Sequence, residues 1–382
     1  MKTKTDSLFS IFLTFLRFGI MAWGGPIAQI NMLREDLVNK NKWVSEKRFY
    51  KTLALYQALP GPEALEMCIY LGVVRGGKLA GIIAGAGFIL PGLLFILLFS
   101  FIYKNYGASY FSPLFLTVTP VIAAIIIRAA HRIGDNVLLS RSLAFICFYS
   151  IIMKILGSHF ILILITCAIF HYLWCKGNIK ISILVIFAFT ILQMTFNQLH
   201  YSSSGEKIFS DSGNLFLAGL EAGMLSFGGA YTAIPFLHDS TVGVFKGITN
   251  QTFLDGVALV NIIPAPFVVF STFIGFQTDN LWGAAIITVG IFLPAFLITI
   301  FFHKKMELII ENKVLHNFLD GIMAGVVGLL IFTSTEILIN SVSSSLQATI
   351  FIISLLLLYL WKNQYNTPAI ILFFGLFGYL IN

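Results

Sequence analysis

The chain has 382 residues, of which 58% are hydrophobic and 11% charged, with a mean hydropathy of +0.89 and a formal net charge of +7. Its charged side chains gather in short loops between apolar segments of 16 to 25 residues, which excludes a soluble all-α domain: such a domain needs a charged coat over its whole surface. What remains is an all-α polytopic membrane protein in a lipid bilayer, with positive charge that reports topology rather than a nucleic-acid partner.

The first apolar segment follows Lys2 and Lys4, carries Arg17 and lacks an A-x-A-like cleavage site, so it is read as mature protein rather than a signal peptide. It is interrupted at Gly24-Gly25-Pro26. A basic loop from Arg34 to Lys51 follows, and the next segment breaks at Pro60-Gly61-Pro62, immediately before Glu63 and Glu66. Each of these two segments is expected to be a hairpin that enters and leaves on one side. Spans are expected near 79 to 103, 113 to 131, 142 to 157 and 158 to 175, then a linker span near 181 to 200 and the polar stretch HYSSSGEKIFSDSGN.

The remainder repeats the beginning at an offset of 204. Gly24 and Gly25 fall on Gly228 and Gly229, Gln57 on Asn261, and Pro60 and Pro62 on Pro264 and Pro266. Pro91 falls on Pro294 at 203, as a one-residue deletion would produce. Spans are expected near 284 to 302, 317 to 338, 347 to 361 and 367 to 381. The basic loop from Arg34 to Lys51 has a counterpart, His238 to Asp255, whose one lysine or arginine is Lys246, so the two halves are expected to face opposite ways. The organisation is therefore a first repeat over 8–176, a linker span and polar loop over 177–212, and a second, inverted repeat over 213–382. Under this arrangement Lys104, Lys154, Lys207 and Lys246 lie outside.

Non-helical backbone at membrane depth persists only where protein or a hydrated cavity satisfies its amides and carbonyls. Four breaks in matched pairs are the pattern of a transporter whose site lies where its repeats meet. Pro26, Pro62 and Pro266 suit the first turn of a half-helix, where the missing N–H costs nothing, and the free amides there favour an anion. The expected substrate-binding set is Arg17, Gly24, Gly25, Pro26, Gln57, Pro60, Gly61, Pro62, Gly228, Gly229, Asn261, Pro264 and Pro266. Arg17, in mid-segment, either helps to hold the anion or pairs with Glu221, its counterpart at offset 204. Glu63 suits the dipole of the half-helix start. With Glu66 one turn later, burial and mutual repulsion favour a shared proton, which makes Glu63, Glu66 and Glu221 the candidates for proton coupling.

Other chemistries find no support. Cys68, Cys147, Cys167 and Cys175 lack metal-ligand or disulfide spacing. No Walker A, H-E-x-x-H or G-x-S-x-G motif occurs, so neither ATP drive nor an enzyme is expected, and no cofactor or metal. His131, His171, His200 and His303 sit at segment ends as interfacial residues.

The blocks FGIMAWGGPIAQINMLREDLV, QALPGPEALEMCIYLGVVRGG and GFILPG, with SFGGAYTAIPFL, IIPAPFVVFSTFIGF and GIFLPAF in the second half, resemble the signature blocks of the chromate ion transporter family in its two-domain form. The resemblance covers nearly the whole chain. It implies a multi-pass protein of the cytoplasmic membrane that exports chromate, a tetrahedral dianion close to sulfate, with Gly24, Gly25, Pro26, Pro60, Gly61 and Pro62 as transport elements. The chain departs from the family in having P-A-P in its second half and Gln29 where a histidine is common. The expected activity is secondary transport driven by protons or anion exchange; sulfate-type oxyanion uptake and an anion channel are the alternatives, and a homodimer is compatible with the sequence.

Overall fold

The computed structural model describes residues 7–23, 25–57, 59–201, 212–227, 229–302, 313–361, 363 and 365–381. Gly24, Gly228, His303 and most of the polar stretch after the linker lie outside the described residues. The chain begins with α1 (Leu8–Ile20) and α2 (Gly25–Leu33), which runs on as a π-helical stretch (Arg34–Lys40), then α3 (Glu46–Gln57) and the long helical run α4 (Glu63–Val137). Next come α5 (Arg141–Ile155), α6 (Phe160–Cys175), α7 (Ile179–Tyr201) and α8 (Ser212–Leu225). A short 3-10 turn (Ala230–Thr232) leads into α9 (Ala233–Thr241) and α10 (Asn250–Asn261). A second 3-10 turn (Phe267–Val269) precedes α11 (Phe270–Leu297), which ends in a π-helical turn (Ile298–Phe302). The last elements are α12 (Lys313–Ser341), α13 (Ser345–Leu360) and α14 (Asn366–Ile381).

The molecule is an all-α polytopic membrane protein. Four described stretches are long and apolar enough to cross a bilayer: Glu63–Tyr106, Leu116–Val137, Phe267–Phe302 and Val314–Ser341. α6, α13 and α14 have 16 residues each, about 24 Å of helix against a hydrocarbon core of about 30 Å. The outward faces carry large apolar side chains such as Phe9, Leu94, Leu184, Leu376 and Leu380, a surface for lipid tails rather than water.

α4 is not one rod. Gly77 has φ +80, and a Cβ placed on Gly72 would lie 2.6 Å from both the Ala80 carbonyl oxygen and the Ala84 Cβ, eight and twelve residues on. The chain therefore doubles back at Gly77, turning Glu63 to Gly76 into a half-helix that packs on the span behind it. Only glycine adopts that φ without strain. α11 does the same at Asp279 and Asn280, the latter with φ 49, so that Gly275 packs against the Gly283 carbonyl. Asparagine is among the few other residues that tolerate this region. Gly77 and Asn280 are 203 apart, the offset of Pro91 and Pro294.

Close packing of small residues joins the elements, as membrane helices without a hydrophobic drive between them require. Gly19 of α1 meets the backbone of Phe88, and Gly223 of α8 meets the backbone of Ile291. At one end of the molecule Tyr103 donates to Asp255 at 2.7 Å, Lys104 to the carbonyls of Phe276 and Gln277 at 3.3 Å, and Lys154 pairs with Asp239. At the other end Arg75 sits over Trp43 (5.2 Å) and Lys78 over Phe301 (4.5 Å).

Candidate functional site

The four interruptions meet. Pro60 and Phe227 form an antiparallel bridge, and the Gly61 amide donates to the Ser226 carbonyl at 2.9 Å. Gln29, from the second turn of α2, donates through Nε2 to the Ala22 carbonyl (3.0 Å) and the Ala265 carbonyl (3.2 Å). Gly92 closes the far side, since a Cβ there would fall 2.4 Å from the Ala265 Cβ. Backbone that cannot be helical, because proline lacks an amide hydrogen and Gly61 and Gly229 have φ of +140 and +132, thus finds partners both in its own half, as Ala22 and Gly229 do, and in the opposite one, as Gly61 and Ala265 do.

Helices start from this crossing. Pro26 is the second residue of α2. Pro62 is the N-cap of α4 with ψ 102, and Pro266 caps the 3-10 turn that feeds α11. Pro60, Gly61, Pro62, Pro264 and Pro266 are all buried. Glu63 lies 8% exposed, with its carboxylate oxygen 3.9 Å from where a Gly229 Cβ would sit. Glu66 is fully buried, its carboxyl lies over Gly61, and neither oxygen has a hydrogen-bond partner.

A cavity of about 290 Å³ lies beside the crossing. Its walls are the start of α2 (Gly25, Pro26, Ala28, Asn31), one face near the end of α4 (Ile125, Arg128, Ala129, Arg132), Tyr231, and the turn between α13 and α14 with Asn363, Asn366 and Thr367. A smaller pocket of about 30 Å³ shares Gly25, Tyr231 and Thr367 and reaches inward to Ala22, Asn261, Ala265 and Phe267. The Tyr231 hydroxyl donates to Asn261 at 3.4 Å, and its ring packs on Phe267 at 4.3 Å.

The structure brings together Gly25, Pro26, Pro60, Gly61, Pro62, Gly229, Asn261, Pro264, Pro266, Glu63 and Glu66 at the crossing and its cavities. It does not bring Arg17, Gln57 or Glu221 there. Arg17 is 66% exposed and pairs with Asp36 at 3.7 Å, because the buried face of α1 is Ile11, Phe15, Phe18 and Gly19. Glu221 accepts from Ser240 at 3.2 Å, so Arg17 and Glu221 have separate partners, and the alternative in which they pair with each other is not what the structure shows. Gln57, at the end of α3, is exposed. Arg128, Arg132, Tyr231, Asn366 and Thr367 line the cavity without having been singled out in the sequence. The signal was available for the arginines, which stand four apart at the end of a span, but charge at a span end reads first as topology.

A bundle of this size that crosses four interrupted segments beside a polar cavity is a multi-pass membrane transport protein. A profile of the Chromate transporter family matches residues 9–194 and 213–379, and the chain belongs to that family. It is 40% identical to the chromate transport protein of Pseudomonas aeruginosa, over 97% of this chain and 92% of the relative. It is 30% identical to an uncharacterized transporter of Methanocaldococcus jannaschii over 100% of this chain and 96% of that protein, and 26% identical to the chromate transport protein of Cupriavidus metallidurans over 85% and 81%. No solved structure matches the chain significantly.

Proposed function

We propose that the protein is a secondary transporter that exports chromate or a related tetrahedral oxyanion, held where two inverted repeats meet. The observation that carries this reading is the crossing itself: residues 21–23 with 25–26, 59–62, 226–227 with 229–230, and 262–266 lie together, with helix starts facing a cavity. Helix starts favour an anion, and a crossing made of two halves can rock about a fixed site. Family membership, and relatives named as chromate transport proteins, supply the substrate class. Lys104, a full span away from the Gly77 turn, donates to the carbonyls of Phe276 and Gln277 beside the matching turn at Asp279 and Asn280, which supports opposite orientations of the halves.

Glu63 and Glu66 are the coupling groups in this reading. Glu66 is a buried carboxyl without a hydrogen bond, a state that a proton makes tolerable and a negative charge does not. Counterflow of labelled chromate in proteoliposomes, competed by sulfate, molybdate and phosphate, tests the proposal. Accelerated exchange that sulfate or molybdate suppresses is expected. Flux proportional to the gradient without counterflow identifies a channel, uptake that exceeds export in oriented vesicles reverses the direction, and no oxyanion flux at all rejects the reading.

A further inference from the structure

We propose that Arg128 and Arg132 form the loading site for the oxyanion, a cradle that selects doubly charged tetrahedral anions before they reach the crossing. This inference rests on the transport reading above and names the groups that recognise the substrate. Arg128 and Arg132 are one helical turn apart on α4 and both line the 290 Å³ cavity. Two like charges at this spacing destabilise a helix, so their pairing asks for something negative between them. Among the described residues no carboxylate lies within 4 Å of either guanidinium. Asp135, the acid nearest in sequence, lies beside His131 instead, at 3.6 Å, and His131 is hydrogen-bonded to the Tyr359 hydroxyl at 2.8 Å.

The surroundings complete the cradle. The Arg128 guanidinium stands over the Tyr359 ring, 6.0 Å from its centroid, which holds the charged head without neutralising it. Tyr231 lies within the field of both arginines, and Glu63 within that of Arg132. Opposite them are the opening turn of α2 at Gly25-Pro26 and the first residues of α14. Asn366 spends its amide on the Trp361 carbonyl and accepts from Thr367, so it shapes the wall. Guanidinium is planar and matches two oxygens of a tetrahedral oxyanion at once. Two of them balance a dianion, whereas a halide or nitrate leaves one positive charge unmatched. The narrower pocket that continues from Gly25 and Tyr231 to Asn261 and Ala265 then leads from the cradle to the crossing.

The test uses the full-length protein in detergent. Equilibrium binding of chromate, with sulfate, molybdate, nitrate and chloride as competitors, is measured for the parent, R128Q, R132Q, the double variant, and R141Q as a control just beyond the end of α4. Each single substitution in the cavity is expected to weaken dianion binding about tenfold to a hundredfold, as loss of a charge-assisted contact does. Lysine at either position should recover part of the loss, and R141Q should bind as the parent does. A second measurement needs no variant: phenylglyoxal modification of the parent, read by mass spectrometry, with and without saturating molybdate. Protection at Arg132 and none at Arg141 is expected. A parent that binds no tetrahedral oxyanion refutes the transport reading itself. A parent that binds them, with R128Q and R132Q unchanged or Arg132 unprotected, overturns the cradle alone.

Discussion

Among the described residues, Gln29 is the side chain that ties the first interruption to the fourth by hydrogen bonds. It is 2% exposed, and both hydrogens of its amide are engaged, one by Ala22 of its own half and one by Ala265 between the two prolines. Gln29→Leu keeps nearly the same volume and removes both donors. Each carbonyl left buried and unpaired costs about 1–3 kcal/mol, and the leucine regains part of this through apolar burial, for a net loss of about 2 kcal/mol. Unfolding of the purified protein in detergent should show that loss, and chromate uptake into inverted vesicles should fall because the Pro264-Ala265-Pro266 segment is no longer held. Gln29→Glu sharpens the argument. An ionised carboxylate has only acceptors and would face two carbonyls, whereas the protonated acid again offers one donor. Its stability deficit should therefore be greatest at neutral pH and shrink as the pH falls. A leucine variant that unfolds at the parental midpoint and carries parental flux would show that these two contacts do not hold the crossing.

Gly61→Ala places a Cβ at φ +140 and 2.9 Å from the Glu66 carboxyl, a cost of about 1–3 kcal/mol, and should abolish transport in vesicles while the protein still reaches the membrane. Glu66→Gln removes an ionisable group that makes no hydrogen bond, so stability should hold and the pH profile of transport should flatten; a profile superimposable on the parent's rejects proton coupling through Glu66. Arg17→Gln breaks an exposed ion pair worth at most about 1 kcal/mol, and uptake should stay near the parental rate. Loss of uptake in that variant, with normal expression, would return Arg17 to the transport machinery.

The interruptions were legible because they are written in local chemistry: proline forbids a helical amide bond, and paired glycines permit a φ that other residues avoid. Pro26, Pro62 and Pro266 begin their elements where that chemistry puts them. What a sequence cannot show is which side of an apolar helix meets protein. In α1 the stripe Ile11, Phe15 and Phe18 is buried, while Leu13, Arg17 and Ile20 form a second stripe, equally periodic, that faces outward. Both are apolar apart from Arg17, so hydropathy alone does not separate them, and the structure puts Arg17 on the outward one. Arg128 and Arg132 are the converse case. Their meaning depends on Gly25, Tyr231 and Asn366, residues about a hundred to two hundred and forty positions away that only tertiary packing brings together.

The offset of 204 also has a meaning that pairing arguments miss. Arg17 and Asp36 form an ion pair, and the residues 204 further on, Glu221 and Ser240, form a hydrogen bond in the corresponding place. Positions related by a repeat share an environment instead of touching each other, so a charge at one predicts a polar partner beside its counterpart, not contact between the two. Cross-half contacts come from segments at different places in the unit, as Pro60 with Phe227 and Gln29 with Ala265 do. Those contacts make the crossing jointly dependent on both halves, which is why loss of the Gln29 amide is expected to be felt in flux as well as in stability.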